Sequence, residues 1–180
     1  MTAHPNAERP ADTDAALAWW DDLPEIRAEE MIGDWTGAEV PTGHPMDGLL
    51  AAARWHGKRF VSEEEVYPLI HRDGAGRLYA ANPGRIPFDE GLMGSAPRGA
   101  LGQMLFAMGQ PVHRTRRPHA RLRETRHRGA LTATMIYDQR PIHDVFKRVN
   151  DRTVLGLMDM RGMARPYFFT LERAEAPFDL

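Results

Sequence analysis

Apolar residues in this chain change their spacing several times, and each change marks an element. Alternating or short continuous apolar runs predict strands over 35–40, 58–61, 66–72, 77–81, 119–126, 130–137, 153–160 and 167–173. The run over 130–137 is the cleanest, with Leu131, Ala133, Met135 and Tyr137 on one face and Thr132 and Thr134 on the other. Asp73-Gly74-Ala75-Gly76 and His127-Arg128-Gly129 read as hairpin turns, and Asn82-Pro83-Gly84 ends the strand before it.

Helical spacing breaks into this series at three places. Met46, Leu49, Leu50 and Ala53 fall at i, i+3, i+4 and i+7, and so do Leu101, Met104, Leu105 and Met108. The third begins at Pro141, favoured in a first helical turn, with Ile142, Val145, Phe146 and Val149 on one side. A short helix over 12–22, capped by Asp12, Thr13 or Asp14, precedes the first strand. Seven or eight strands with three inserted helices predict a mainly β fold, an antiparallel β-barrel decorated by short helices. Residues 1–30 form an N-terminal tail (1–10 without structure) and short helices, and 31–180 a single barrel domain. Within that domain, 33–84 and 119–175 are strand-rich, and 85–118, rich in Gly, Pro and Arg, is a loop and helix excursion.

Gly33-Asp34-Trp35-Thr36-Gly37 stands at the first strand. A closed barrel has to plug its narrow end, and a tryptophan there buries a large flat surface while glycine allows the tight entry. Lipocalins and other calycins open their first strand with Gly-x-Trp after a helical turn, which 24–30 supplies. Residues 33–84 resemble the bacterial family named for this Gly-x-Trp-x-Gly signature. The segment from Arg121 to Arg173 is similar to the domain of unknown function that accompanies it, through Met135-Ile136-Tyr137-Asp138, Arg140-Pro141-Ile142-His143-Asp144-Val145-Phe146, Val154-Leu155-Gly156-Leu157-Met158-Asp159 and Tyr167-Phe168-Phe169-Thr170-Leu171-Glu172-Arg173. The resemblance implies a calycin-like barrel that binds a small apolar molecule such as a fatty acid, and no established reaction. It also implies barrel closure by Gly33, Trp35, Gly37 and Arg173, the arginine of the last strand stacking on the tryptophan and bonding nearby carbonyls, with Arg165 the second candidate for that role. Nitrobindin-type barrels share the motif and bind haem, but continue to another glycine where this chain has Glu39.

Composition narrows the classes. Hydrophobic residues make up 42% of 180, and the net charge of −2 suits a soluble globular protein. No run of about 18 apolar residues is present to span a bilayer. The first thirty residues lack the apolar core of an export signal, and with no cysteine the chain has neither disulfides nor thiolate chemistry. Both points favour the cytoplasm. The eight histidines are dispersed without metal-site spacing, so no metal is expected. No cofactor is expected either, haem being the less favoured alternative.

Two groups carry candidate chemistry. Arg114 to Arg128 contains seven arginines and one acid, Glu124, without the interleaved aromatics that nucleic-acid binding favours. Arg121 and Arg123 share a face, and an inward Arg123 would meet a ligand carboxylate. Tyr137, Asp138 and His143 form a polar set in an apolar half. As an acid–base group they would define an enzyme, with His143 as base; as pocket wall they would anchor a ligand. The favoured reading is a binder rather than an enzyme. Its partner is a small hydrophobic ligand, held by Arg123, Tyr137, Met135, Met104, Met108, His143 and Asp138. The sequence leaves the oligomeric state open, a homodimer included.

Overall fold

The computed structural model describes residues 10–86, 91 and 95–180; the unstructured tail expected over 1–10 lies almost wholly outside them. Ten strands form one antiparallel sheet: β1 (Gly33–Glu39), β2 (Trp55–Phe60), β3 (Val66–Arg72), β4 (Leu78–Ala81), β5 (Arg114–Thr115), β6 (Ala120–His127), β7 (Ala130–Tyr137), β8 (Ile142–Arg148), β9 (Thr153–Met160) and β10 (Tyr167–Arg173). Eight of them close into a ring in the order β1-β2-β3-β6-β7-β8-β9-β10. β4 and β5 leave the ring. β3 gives one edge to β2 and divides the other, pairing Val66 with Ala120 of β6 and its last three residues with β4. The barrel therefore splays at one seam, where β4 and β5 extend the sheet from β3.

Helix α1 (Thr13–Asp22) starts at Asp12, whose carboxylate accepts from the Ala15 amide at 2.8 Å. It packs against the outside of the barrel, with Ala16 and Trp20 against Val145, Leu155, Leu157 and Phe168. That packing corrects one sequence reading. The segment after Pro141 is strand β8, not a helix. Ile142 and Phe146 belong to the inner core while Val145 belongs to the cluster under α1. A strand buried on both faces shows apolar residues at both parities, and their sum imitates helical spacing.

One barrel end is sealed by the motif. Trp35 is 1% exposed and its indole N–H donates to the Met31 carbonyl at 2.7 Å, anchoring it to the 3₁₀ turn Ala28–Met31. Arg173, opposite Trp35 in the β1–β10 register, lays its guanidinium 4.3 Å from the indole centroid and donates to the Ile32 and Glu30 carbonyls at 2.9 and 2.5 Å. Gly33 sits at φ +127°, and a Cβ there would come within 2.9 Å of that guanidinium.

The other end is covered by two helices, one from the β1–β2 connection and one from the excursion. Helix α2 (Leu49–Ala52) and helix α3 (Gly99–His113) lie over that end. Gly102 faces the approach of the two helices: a Cβ there would fall 2.2 Å from the Pro97 carbonyl oxygen and 3.1 Å from Ala52 Cβ. Glu39, at the end of β1, accepts from the amides of Gly48 and Leu50 at 3.0 and 2.6 Å and so ties α2 to the barrel rim. No helix among the described residues is long and apolar enough to cross a membrane.

Candidate functional site

Between the plug and the covering helices lies a cavity of about 300 Å³, at the lower end of the ~300–1,000 Å³ usual for ligand pockets. Its wall is mostly apolar, with Leu50, Leu69, Phe106, Met158 and Phe169 among the lining residues. Gly37, the second glycine of the motif, shapes it. A Cβ at Gly37 would fall 2.1 Å from the Trp55 ring, so the glycine lets the indole lie flat across β1. Gly156 does the same for Phe169, whose ring would be 2.4 Å from a Cβ there. The two rings then meet edge to face, centroids 5.7 Å apart.

A buried ion pair forms the base of the cavity. Lys58 Nζ lies 2.8 Å from Asp144 Oδ2, with both side chains at most 3% exposed. β2 and β8 stand four places apart around the ring in either direction, so the pair crosses the whole lumen. One layer nearer the plug, Phe60 and Phe146 of the same two strands meet across the lumen, centroids 5.9 Å apart. Lys58 also donates to the Pro68 carbonyl at 3.1 Å and sits 4.9 Å from the Phe169 ring centroid. The Tyr137 hydroxyl donates to the same Asp144 Oδ2, at 3.5 Å. Burial pushes the Lys58 ammonium down, against the pull of the Asp144 charge. It pushes the Asp144 carboxyl up, against Lys58. Burial likewise raises Tyr137, and the neighbouring carboxylate adds to the rise.

His71 lines the cavity on the helix side. Its Nδ1 is 2.9 Å from the Ala53 carbonyl, so Nδ1–H donates and Nε2 carries a lone pair. Burial, more than the nearby charge of His113, lowers its pKa to about 3 and keeps the ring neutral. Four buried polar atoms of described lining residues are without a close hydrogen-bond partner: Asp144 Oδ1, His71 Nε2, Trp55 Nε1 and the Tyr167 hydroxyl, the last turned toward the Glu39 carboxylate. No group of three or more His, Cys, Asp or Glu suited to a metal occurs among the described residues.

Of the residues read as ligand contacts from the sequence, Tyr137 lines the cavity. Met135 is fully buried in the barrel core but is not on the cavity wall. The others lie elsewhere. Arg123 points outward to Glu64, at 2.5 Å, because inward positions of β6 fall on Ala120 and Leu122. Asp138 is exposed and pairs with Arg121 at 3.0 Å. His143 is exposed on the outer face of β8, one residue out of phase with Asp144. Met104 and Met108 are 54% and 71% exposed, because α3 turns Gly102, Phe106 and His113 inward instead. Lys58, Asp144, His71 and Trp55 were not among the ligand contacts read from the sequence. The available signal was parity: Lys58 alternates with Phe60, and Asp144 lies between Ile142 and Phe146.

The fold and cavity define a closed antiparallel barrel with a plugged end and a lidded, largely apolar interior. Residues 18–76 match the family described as GXWXG protein, and 118–173 match a domain of unknown function, DUF4334. A crystal structure of a protein from Thermomonospora curvata is similar over 91% of this chain and 88% of that one, at 30% identity and a TM-score of 0.68. No curated protein matches the chain. The chain belongs to the GXWXG family and carries its companion C-terminal domain. Strands from both matched segments, β1–β3 and β6–β10, build the one ring.

Proposed function

We propose that this barrel binds a small, largely apolar molecule in its interior, as a carrier or store rather than as an enzyme. The observation that supports the reading is the cavity itself: about 300 Å³, apolar over most of its wall, in a barrel otherwise filled by core side chains. Covering apolar wall with ligand is favourable by ~25 cal/mol per Å² removed from water. The enzyme alternative drew on Tyr137, Asp138 and His143 together, and the fold puts only Tyr137 at the cavity. The fatty-acid version drew on Arg123 as carboxylate partner, and that side chain is engaged outside the barrel.

The test is mass spectrometry of small molecules extracted from the purified protein, with its visible spectrum, followed by thermal denaturation with a panel of medium-chain lipids, terpenoids and haem. A binder shows a concentration-dependent rise in melting temperature with a compact apolar compound. The rise disappears in Leu69→Trp, which fills the cavity. Unchanged melting across the panel, with nothing extracted, would remove the reading.

A further inference from the structure

The cavity's polar base has its own selectivity. Asp144 Oδ2 is already shared by the Lys58 ammonium and the Tyr137 hydroxyl, and a second Lys58 proton goes to the Pro68 carbonyl. Charge at the base is therefore balanced before any ligand enters. The atoms left without close partners are two acceptors, Asp144 Oδ1 and His71 Nε2, one donor, the Trp55 indole N–H, and the Tyr167 hydroxyl, which can do either and is turned toward the Glu39 carboxylate. All four belong to residues that line the same cavity.

From this set we infer that the ligand carries a neutral hydroxyl head, and that the site discriminates against carboxylates; the inference rests on the cavity-binding reading above. A hydroxyl is both donor and acceptor, so it can give its proton to Asp144 Oδ1 or His71 Nε2 and accept from Trp55. A carboxylate can only accept. It would set its lone pairs against two acceptors and bring an unpaired negative charge into a site whose own charges already cancel, which is costly in an apolar interior. An ammonium satisfies the acceptors but adds a second positive charge beside Lys58. Buried polar groups left unpaired are what make such sites reject the wrong head group strongly.

Asp144 makes the selectivity reversible. In Asp144→Asn the Lys58 ammonium loses its counter-ion, and a ligand carboxylate supplies the missing charge. The same cavity then prefers the acid over the alcohol.

The experiment uses octane, 1-octanol, octanoate and octylamine as matched probes at pH 8, with dissociation constants measured by calorimetry or by displacement of a fluorescent probe. In the wild type 1-octanol is expected to bind at least tenfold more tightly than octanoate or octylamine, and more tightly than octane. In Asp144→Asn the order of alcohol and acid is expected to invert. Trp55→Phe, which keeps the ring and removes the N–H, is expected to narrow the gap between octanol and octane, and it serves if Asp144→Asn does not fold. Octanoate or octylamine binding as well as octanol in the wild type overturns the inference. Octane matching octanol overturns it too, while leaving the apolar cavity reading intact. Binding by none of the four probes would overturn the cavity reading itself and this inference with it.

Discussion

Lys58 and Asp144 illustrate how a charge pair can be indispensable singly and dispensable together. Each is buried against the other, so Lys58→Met or Asp144→Leu alone strands a charge in the lumen and should cost ~3–5 kcal/mol. The double substitution removes both charges and should recover most of that loss. A double-mutant cycle by urea unfolding measures the difference directly. His71 gives a second prediction at the same scale. Its folded-state pKa, about 3, lies far below the unfolded value near 6.5, so below pH 6.5 the unfolded chain binds a proton that the native ring refuses. Stability from this group is complete above about pH 6.5 and falls, by up to ~1.4 kcal/mol per pH unit, as the pH drops toward 3. Unfolding free energies of wild type and His71→Gln at pH 7 and pH 5 should show a shallower decline in the variant. Equal declines would assign the acid sensitivity to other groups, His113 among them.

At the scale of elements, the family motif is a packing device with three parts. Trp35→Ala should destabilise by ~3–5 kcal/mol, as for other fully buried large side chains. Gly37→Ala overfills the space under Trp55 and should cost ~1–3 kcal/mol while displacing the indole from the cavity wall. Chemical denaturation together with tryptophan fluorescence reports both effects. Most strands were legible because their apolar residues alternate; β3, β7, β9 and β10 begin and end where the pattern predicted. β8 was not, because α1 buries its outer face as well and erases the alternation. The methionine stripe of α3 was legible as a helix but not in direction, since Gly102 on the opposite side lets that side approach α2. Trp35 and Arg173 could be placed together because the resemblance sets an arginine of the last strand on the motif tryptophan, and β10 does run antiparallel beside β1. The Lys58–Asp144 pair could not, because it joins strands on opposite walls, and that pairing exists only once the ring has closed.

At the scale of the molecule, the ring is unevenly fastened. β8 and β9 share seven register pairs, whereas β3 and β6 share one, supplemented by the His119 amide on the Val66 carbonyl at 3.0 Å and the Leu122 amide on the Glu63 carbonyl at 2.8 Å. Native-state hydrogen exchange should find the amides of His119 and Leu122 among the first of the barrel to exchange, well before those of β8 and β9. Protection as strong at this joint as in β8 would contradict the expectation. In mechanical terms the barrel is a hoop with a clasp. A hoop so built yields at the clasp under load and keeps its circumference elsewhere. The diameter of the interior then behaves as a variable of the molecule, set by how often one joint parts, while the other seven keep the strands in order.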